Sequence, residues 1–378
     1  MFDVFNKGVK TIHSLLRLSG AMGHTANSHP SICFYIHHHG AGHVMRAISI
    51  AGTVQDYPVC FMGSNLKPYA AMISPQIECI HLPMDVPVST DPVLPEGQPD
   101  FLHYSPLGIE GIRERAALMS NVFISRFPMV LIVDVSVEVT MLARLCGIPT
   151  IVMLQHGLRN DTAHINAYLS AELLIAPYSA SMASAENLER FAGKTCYSGG
   201  FSRYSDVDRN DLAKELPGHV AILLGKGGTS IDASFILFLA AHCEQYIFHV
   251  IGDEQGELAK NIIWHGQVED PLDVLCNCEV VIGNAGHNTV MEMADLNKRF
   301  ICIPEERPFE EQQQKAAMLA ANGNALVVKA SDLYLQKWPG LLDTLCNTAP
   351  NWKGVMQKDA LQRIGTAIKT TAERLYSC

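Results

Sequence analysis

Short apolar runs alternate with longer stretches of helical periodicity from residue 31 onward. Runs of about four to eight apolar residues predict strands, whereas apolar residues recurring every three or four positions predict helices. This βαβα order is typical of a parallel sheet covered by helices on both faces. In the first half the predicted strands are SICFYIH, YPVCFM, IECIHL, MVLIVD, TIVML, ELLIAP and KTCYSG.

The pattern is interrupted after Gly199 and Gly200 by the charged stretch FSRYSDVDRNDLAKELPG, which has little to bury. A second series of predicted strands follows: HVAILLG, YIFHVIG, IIWHGQ, EVVIGN, RFICIP and ALVV. We therefore predict an α/β protein with two doubly wound Rossmann-like domains, residues 30–200 and 219–350, joined by a linker at 201–218. Two such domains facing each other create a central cleft between the carboxyl ends of their sheets.

Both ends of the chain extend beyond these domains. The helical periodicity of residues 351–378 predicts a helix that packs back toward the first domain. Residues 1–29 are predicted to be an N-terminal extension, frayed or packed. Because its apolar residues are near helical spacing with Lys10 and Arg17 between them, a helix lying on a membrane surface is the alternative.

Composition excludes several classes of protein. A net charge of −10 gives no basic surface for nucleic acid. No apolar stretch reaches the length needed to span a bilayer. The eleven cysteines lack the spacing of a zinc site, and we read them as reduced, which indicates a cytoplasmic protein. Peripheral contact with the inner face of the plasma membrane remains open.

The first turn that carries candidate chemistry is HHHGAGHVMR, residues 37–46, where a predicted strand meets a helix. Gly40 and Gly42 allow the backbone to approach a ligand, and the exposed N–H groups of the helix start favour an anion. His43 is a candidate general base, since the ordinary pKa of histidine lies near working pH. A histidine that only packs at a turn is the alternative.

The second turn is LGKGGTS, residues 224–230. Gly227 and Gly228 are candidates to line a phosphate, and Thr229 or Ser230 to cap the helix that follows. The spacing of a P-loop is absent, so nucleoside triphosphate hydrolysis is not supported. An ordinary tight turn is the alternative.

The third turn, NAGHNTVME, follows the apolar run EVVIG. Gly286, His287, Asn288 and Thr289 form the predicted start of a helix and offer backbone N–H groups, an amide and a hydroxyl to an anion. Glu292 lies about one helical turn further on, where a carboxylate suits ribose hydroxyls. An anion site beside a diol site predicts the binding of a nucleoside diphosphate.

This third motif, followed by a strand ending in IP and by PFEEQQQKAAMLAANGNA, resembles the donor-binding half of GT-B glycosyltransferases of family 28. The resemblance implies that Glu311 and Gln312 contact the donor sugar or ribose, and that the backbone from Gly266 to Val268 frames a uracil. Lys315 departs from the family, which usually has Asn there. GAGHVMR resembles the glycine-rich N-terminal loop of the same family, with His43 at the position of its candidate catalytic histidine.

The resemblance implies an inverting glycosyltransferase that uses a UDP-sugar, without cofactor or essential metal. The acceptor would be a hydroxyl in cell-envelope glycan or glycosylated metabolite synthesis. GxGHVMR is also similar to a string in UDP-sugar hydrolases of pseudaminic acid synthesis. A hydrolase, a 2-epimerase on the same fold and a non-catalytic donor-binding partner of a membrane glycosyltransferase remain alternatives.

Two further strand ends are candidates for the acceptor side. In VDVSVE, a carboxylate of Asp134 or Glu138 would orient His43 or bind acceptor hydroxyls, although a charge at a helix start also explains Glu138. Arg46, His156 and Arg159 are predicted to contact the acceptor at the rim of the cleft.

Overall fold

The computed structural model describes residues 29–38, 40–94, 97, 99–183, 189–205, 207–208, 214–225 and 227–377. Two entirely parallel sheets, of seven and six strands, form the centres of two α/β domains. The predicted fold class is confirmed. The amphipathic stretch expected near the N-terminus lies outside the described residues. No helix among the described residues is long and apolar enough to cross a membrane.

The first sheet has the order β3-β2-β1-β4-β5-β6-β7. Its elements are β1 Ser31–Ile36, α1 Gly42–Ala51, β2 Val59–Gly63, β3 Glu78–His81, α2 Glu110–Ser125, β4 Met129–Asp134, α3 Val137–Leu145, β5 Thr150–Met153, α4 Thr162–Ser170, β6 Leu173–Ala176 and β7 Thr195–Tyr197. The chain progresses in opposite directions from the centre, so the crevice between β1 and β4 is the switch point at which ligands bind in such sheets. It is there that the α1 start and the end of β4 meet.

The second sheet has the order β10-β9-β8-β11-β12-β13. Its elements are β8 Leu216–Leu223, α5 Ala233–His242, β9 Ile247–Ile251, β10 Ile262–Gly266, α6 Leu272–Asn277, β11 Cys278–Asn284, α7 His287–Asp295, β12 Arg299–Ile303, α8 Glu311–Ala321, β13 Leu326–Val327 and α9 Trp338–Cys346. Here the switch point lies between β8 and β11. The second and third glycine-containing turns therefore face the same crevice.

Burial explains why the strand pattern is so clear in the sequence. All six residues of β4 are buried, as are all five of β2, because helices cover both faces of the sheet. A strand buried on two sides reads as a continuous apolar run rather than an alternating one.

The connection between the domains is more ordered than a polar linker. Phe201 and Tyr204 are buried, at 8% and 2% exposure, and the Tyr204 hydroxyl donates to Asp270 at 3.0 Å. β8 begins at Leu216, before the predicted end of the linker at residue 218. The sequence pattern missed this packing because few apolar side chains stand among the charged residues of this segment.

The last helix, α10 (Ala360–Tyr376), packs on the first domain. Ile364 and Ile368 are fully buried in the apolar cluster that contains Val44 and Ile50 of α1. The Tyr57 hydroxyl also donates to Glu373 at 2.8 Å. The chain therefore crosses between the domains twice, and its end completes the core beneath α1.

Candidate functional site

A cavity of about 740 Å³ lies between the two domains at the carboxyl ends of their strands. This volume is within the range of small-molecule sites. Predicted residues that line it are Gly42, His43, Arg46, His156, Gly227, Val268, Gly286, His287, Asn288, Thr289, Glu292 and Glu311. The structure thus brings the first turn and the third turn of the sequence to one site.

His43 stands in the first turn of α1 and is held from the end of β4. Its Nδ1 lies 3.0 Å from Asp134 Oδ2. Arg46, one helical turn after His43, donates from Nη2 to both Asp134 oxygens at 2.8 Å. The histidine, carboxylate and guanidinium therefore form one ion-paired cluster at the wall of the cavity.

The charge of Asp134 holds the ring of His43 in place. Burial opposes the ionisation of this carboxyl, but Arg46 and then His43 more than offset it and hold the pKa of Asp134 well below its usual range. An ionised carboxylate only accepts hydrogen bonds, so Nδ1 of His43 donates in its contact with Asp134, although Arg46 Nη2, which can only donate, lies 3.1 Å from the same nitrogen. Nε2 is then the basic nitrogen, as general-base catalysis requires.

Two residues predicted for this site have other partners in the structure. Arg46, predicted to bind the acceptor, lines the cavity but is 7% exposed and paired with Asp134, and its contact with the acceptor stays a prediction. Glu138 was expected to orient His43, yet its Oε1 accepts from the backbone N–H groups of His103 and Tyr104, both at 2.6 Å. Glu138 anchors the segment before α2 and does not reach the histidine.

The start of α7 faces the cavity without a side-chain cap. Its N-cap is Gly286, whose backbone is extended, whereas Ser136 and Asp232 cap α3 and α5 with their side chains. The first backbone N–H groups of a helix need a partner, and together with the helix dipole they suit an anion. A Cβ on Gly42 would lie 3.3 Å from Asn288 Nδ2, so glycine permits this close approach of α1 to α7.

Glu292 lies on the same helix, 8% exposed, and is paired with a residue that sequence reasoning missed. Arg203 Nε lies 2.9 Å from Glu292 Oε1. Burial raises the pKa of Glu292, and Arg203 partly opposes that shift. Arg203 belongs to the connection between the domains, 89 residues away in sequence, and no local pattern indicates such a pair.

The side chains of Glu311 and Gln312 point in different directions. The Glu311 carboxylate lines the cavity, and Lys315 Nζ lies 3.4 Å from its Oε1. Gln312 instead turns inward, where its Oε1 accepts from the backbone N–H of Glu305 at 3.0 Å. The predicted contact of the Gln312 side chain with the donor is therefore not present in this arrangement. Lys315 is fully buried and also donates to Ala285 O, beneath the third turn.

The second turn is organised by Arg307. Its Nη2 donates to the carbonyl oxygens of Gly227 and Gly228 at 2.8 and 2.6 Å. The hydroxyls of Thr229 and Ser230 both donate to Glu305. Neither residue therefore forms the predicted cap of α5. Gly227 lines the cavity, whereas Gly228 lies outside its lining.

The remaining predicted contacts divide between the cavity and its surroundings. Val268 lines the cavity beyond the end of β10, where Gly266 takes a φ of +67° that glycine tolerates. His156 is 4% exposed beside Tyr178, and its Nε2 is a buried atom with no hydrogen-bond partner. Arg159 donates to Gln155 and to His156 O and is not part of the cavity lining, so its contact with an acceptor stays a prediction.

Among the described residues, no group of three or more His, Cys, Asp or Glu side chains is arranged to hold a metal ion. Independence from metal stays a prediction.

Comparison with known proteins identifies the second domain. Residues 233–370 match the model of the glycosyltransferase family 28 C-terminal domain. A segment of 105 residues is 32% identical to the UDP-N-acetylglucosamine–N-acetylmuramyl-(pentapeptide) pyrophosphoryl-undecaprenol N-acetylglucosamine transferase of Pediococcus pentosaceus. That segment spans 28% of this chain and 28% of the relative.

Solved structures extend the likeness to both domains. The glycotransferase of kitacinnamycin superposes with a TM-score of 0.60 at 14% identity, over 91% of this chain and 96% of that one. UGT2 of Phytolacca americana, complexed with UDP-2-fluoro-glucose and pterostilbene, gives 0.59 at 12% identity, over 92% and 94% of the two chains. The protein therefore has the GT-B fold, and its second domain is a glycosyltransferase family 28 C-terminal domain.

Proposed function

We propose that the protein is an inverting glycosyltransferase that transfers a sugar from UDP-sugar to an acceptor hydroxyl. The observation that carries this proposal is the pairing, across one cavity, of an oriented base with an uncapped helix start. His43 and Asp134 lie on the first-domain side, and Gly286 to Thr289 lie on the other. The matched family and the GT-B fold support the same activity.

The reaction uses these two sides in a single displacement. The acceptor oxygen attacks the anomeric carbon while its proton passes to His43 Nε2, and the bond from that carbon to the diphosphate oxygen breaks. The electron pair of that bond stays on UDP. The backbone N–H groups at the start of α7 stabilise the developing charge on the leaving diphosphate. Asp134 stabilises the imidazolium that forms, in the way a buried carboxylate does in hydrolytic triads.

The donor would lie along the second domain. The diphosphate occupies the α7 start, the uracil lies near Gly266 and Val268, and the ribose lies beside Glu292. Because Arg203 now pairs with Glu292, ribose hydroxyls would share or replace that contact. Glu311 lines the cavity and lies 3.8 Å from Arg159 Nη2 of the first domain, which places it to meet the sugar.

The proposal is tested by following UDP release from UDP-N-acetylglucosamine and UDP-glucose in the wild-type protein and in His43→Gln. We expect His43→Gln to lower turnover by about 10²- to 10⁴-fold, because the base is lost while the donor site is kept. His242→Gln, at the exposed end of α5, is the matched control. Wild-type turnover in His43→Gln would contradict the proposal, and release of free sugar with every hydroxyl acceptor would favour a hydrolase instead.

A further inference from the structure

The two domains meet a second time, beside the cavity. The loop after β5 (residues 156–159) contacts the segment that leads into α8 (residues 307–311), and we call these two segments the latch. The backbone N–H of Leu158 donates to Phe309 O at 2.7 Å. The Phe309 ring is surrounded by first-domain side chains: the Arg159 guanidinium lies 4.8 Å from its centroid, and the His103 and His164 rings lie at 4.9 and 4.7 Å.

The backbone of the latch is held in conformations that side chains disfavour. Phe309 and Glu310 have φ angles of 60° and 53°, in the left-handed region, although neither is glycine. Such conformations persist where surrounding contacts impose them, and they concentrate at switch regions. Opposite them, Gly157 has a φ of +108°, and a Cβ there would lie 2.5 Å from Phe309 O. The backbone conformations of both latch segments therefore depend on their contact with each other.

The second latch segment ends at Glu311, whose carboxylate lies near one cation from each domain. One carboxylate oxygen lies 3.4 Å from Lys315 Nζ of its own domain, and the other lies 3.8 Å from Arg159 Nη2 of the first domain. Burial opposes ionisation of Glu311, but Lys315 and then Arg159 more than offset it and lower its pKa. Arg159 is held for this contact by stacking on Phe309 and by donating to His156 O. Separation of the domains would remove one of the two cations from Glu311.

We propose that the latch is a closure device, which holds the two domains together and, when closed, delivers Arg159 to the cavity-facing carboxylate of Glu311. Arg159 is then a positioning residue rather than an acceptor ligand. The closure itself does not depend on the reaction. The consequence for the donor sugar rests on the proposed function, since it assumes that Glu311 meets that sugar.

The closure is tested without nucleotide by comparing Gly157→Ala with Gly147→Ala. Both glycines have positive φ, but a Cβ on Gly147 meets nothing within 4 Å, so this control carries the backbone strain without the clash. In Gly157→Ala we expect amide exchange at Leu158 to accelerate about tenfold, as loss of one hydrogen bond predicts, with a larger radius of gyration in X-ray scattering. Equal exchange and equal radius in the two variants would overturn the closure.

Phe309→Ala provides a second route, because it removes the ring without adding a clash in case Gly157→Ala fails to fold. It should accelerate Leu158 exchange while core amides of β4 stay protected, and unchanged exchange would overturn the proposal. In calorimetry, the variant should bind UDP as the wild type does but UDP-N-acetylglucosamine several-fold more weakly. If UDP binds neither protein, the proposed function fails while the exchange result still decides the latch.

Discussion

At the scale of single residues, the chemistry depends on a chain of buried charges. Arg46 keeps Asp134 ionised, and Asp134 in turn fixes which nitrogen of His43 is basic. A charge taken from water is stable only when it is paired, so each member of this chain requires the next. Arg46 is therefore a partner of the carboxylate that holds His43, while its contact with an acceptor stays a prediction.

Asp134→Asn tests this chain. An amide can donate to Nδ1 and select the wrong tautomer, so we expect turnover to fall by about 10⁴-fold, as in hydrolytic triads, while UDP affinity is kept. The measurement is kcat together with a UDP titration and a melting temperature, since Arg46 is left without its counter-charge. Asp359→Asn, at an exposed carboxylate paired with Arg363, is the control. Full turnover in Asp134→Asn would remove His43 from the role of oriented base.

At the scale of elements, the site is built from turns at the ends of parallel strands. The turn after β4 is strained, because Val135 has a φ of 84° between Asp134 and the N-cap Ser136. β-branched residues are genuine outliers in this region. The strain lies directly next to the carboxylate that orients His43, where backbone strain is commonly found in functional sites.

Val135→Gly should therefore change the stability of the fold more favourably than a glycine substitution that relieves no strain. Relief of the left-handed strain is worth about 1–2 kcal/mol, which offsets the greater freedom of glycine in the unfolded chain, roughly 0.5–1 kcal/mol, and the lost burial of the half-buried Val135 side chain. The free energy of unfolding in urea measures the net gain. Asn297→Gly is the matched control, since Asn297 has a φ of 52° but asparagine tolerates it. A gain in Val135→Gly no larger than that of the control would contradict the strain.

Some features of these elements could be predicted from local sequence, and others could not. The glycine-containing turns and the apolar strands could be predicted from the sequence, because each depends on a few residues that are adjacent in the chain. Three sets of contacts could not be predicted in this way. They are the pair of Arg203 with Glu292, the inward orientation of Gln312, and the hydrogen bonds of Thr229 and Ser230 to Glu305. Those contacts join residues that are distant in the chain or that have several possible partners nearby, and only the assembled fold selects among them.

At the scale of the whole molecule, the first domain is not completed until the chain has passed through the second. α10 buries Ile364 and Ile368 against α1, the helix that carries His43 in its first turn. The core beneath the turn that carries His43 therefore depends on the helix Ala360–Tyr376. Substitutions in α10 should therefore destabilise the first domain rather than the second.

Ile368→Ala checks this dependence. Deleting a fully buried isoleucine side chain costs about 2–5 kcal/mol, and we expect a lower melting temperature with faster amide exchange in α1. Gln362→Ala, on the exposed face of the same helix, should change neither. Faster exchange confined to the second domain would show that α10 does not support the first.

The central claim is that the cavity between the domains holds a uridine nucleotide at the α7 start. Calorimetric titration with UDP, UDP-N-acetylglucosamine and GDP, without added metal, tests it in the wild type and in Glu292→Ala. We predict that both uridine ligands bind, that GDP does not, and that Glu292→Ala loses at least about tenfold in UDP affinity. Absence of uridine binding, or equal binding of GDP, would contradict the claim and direct the search to thymidine- and other nucleotide-linked donors.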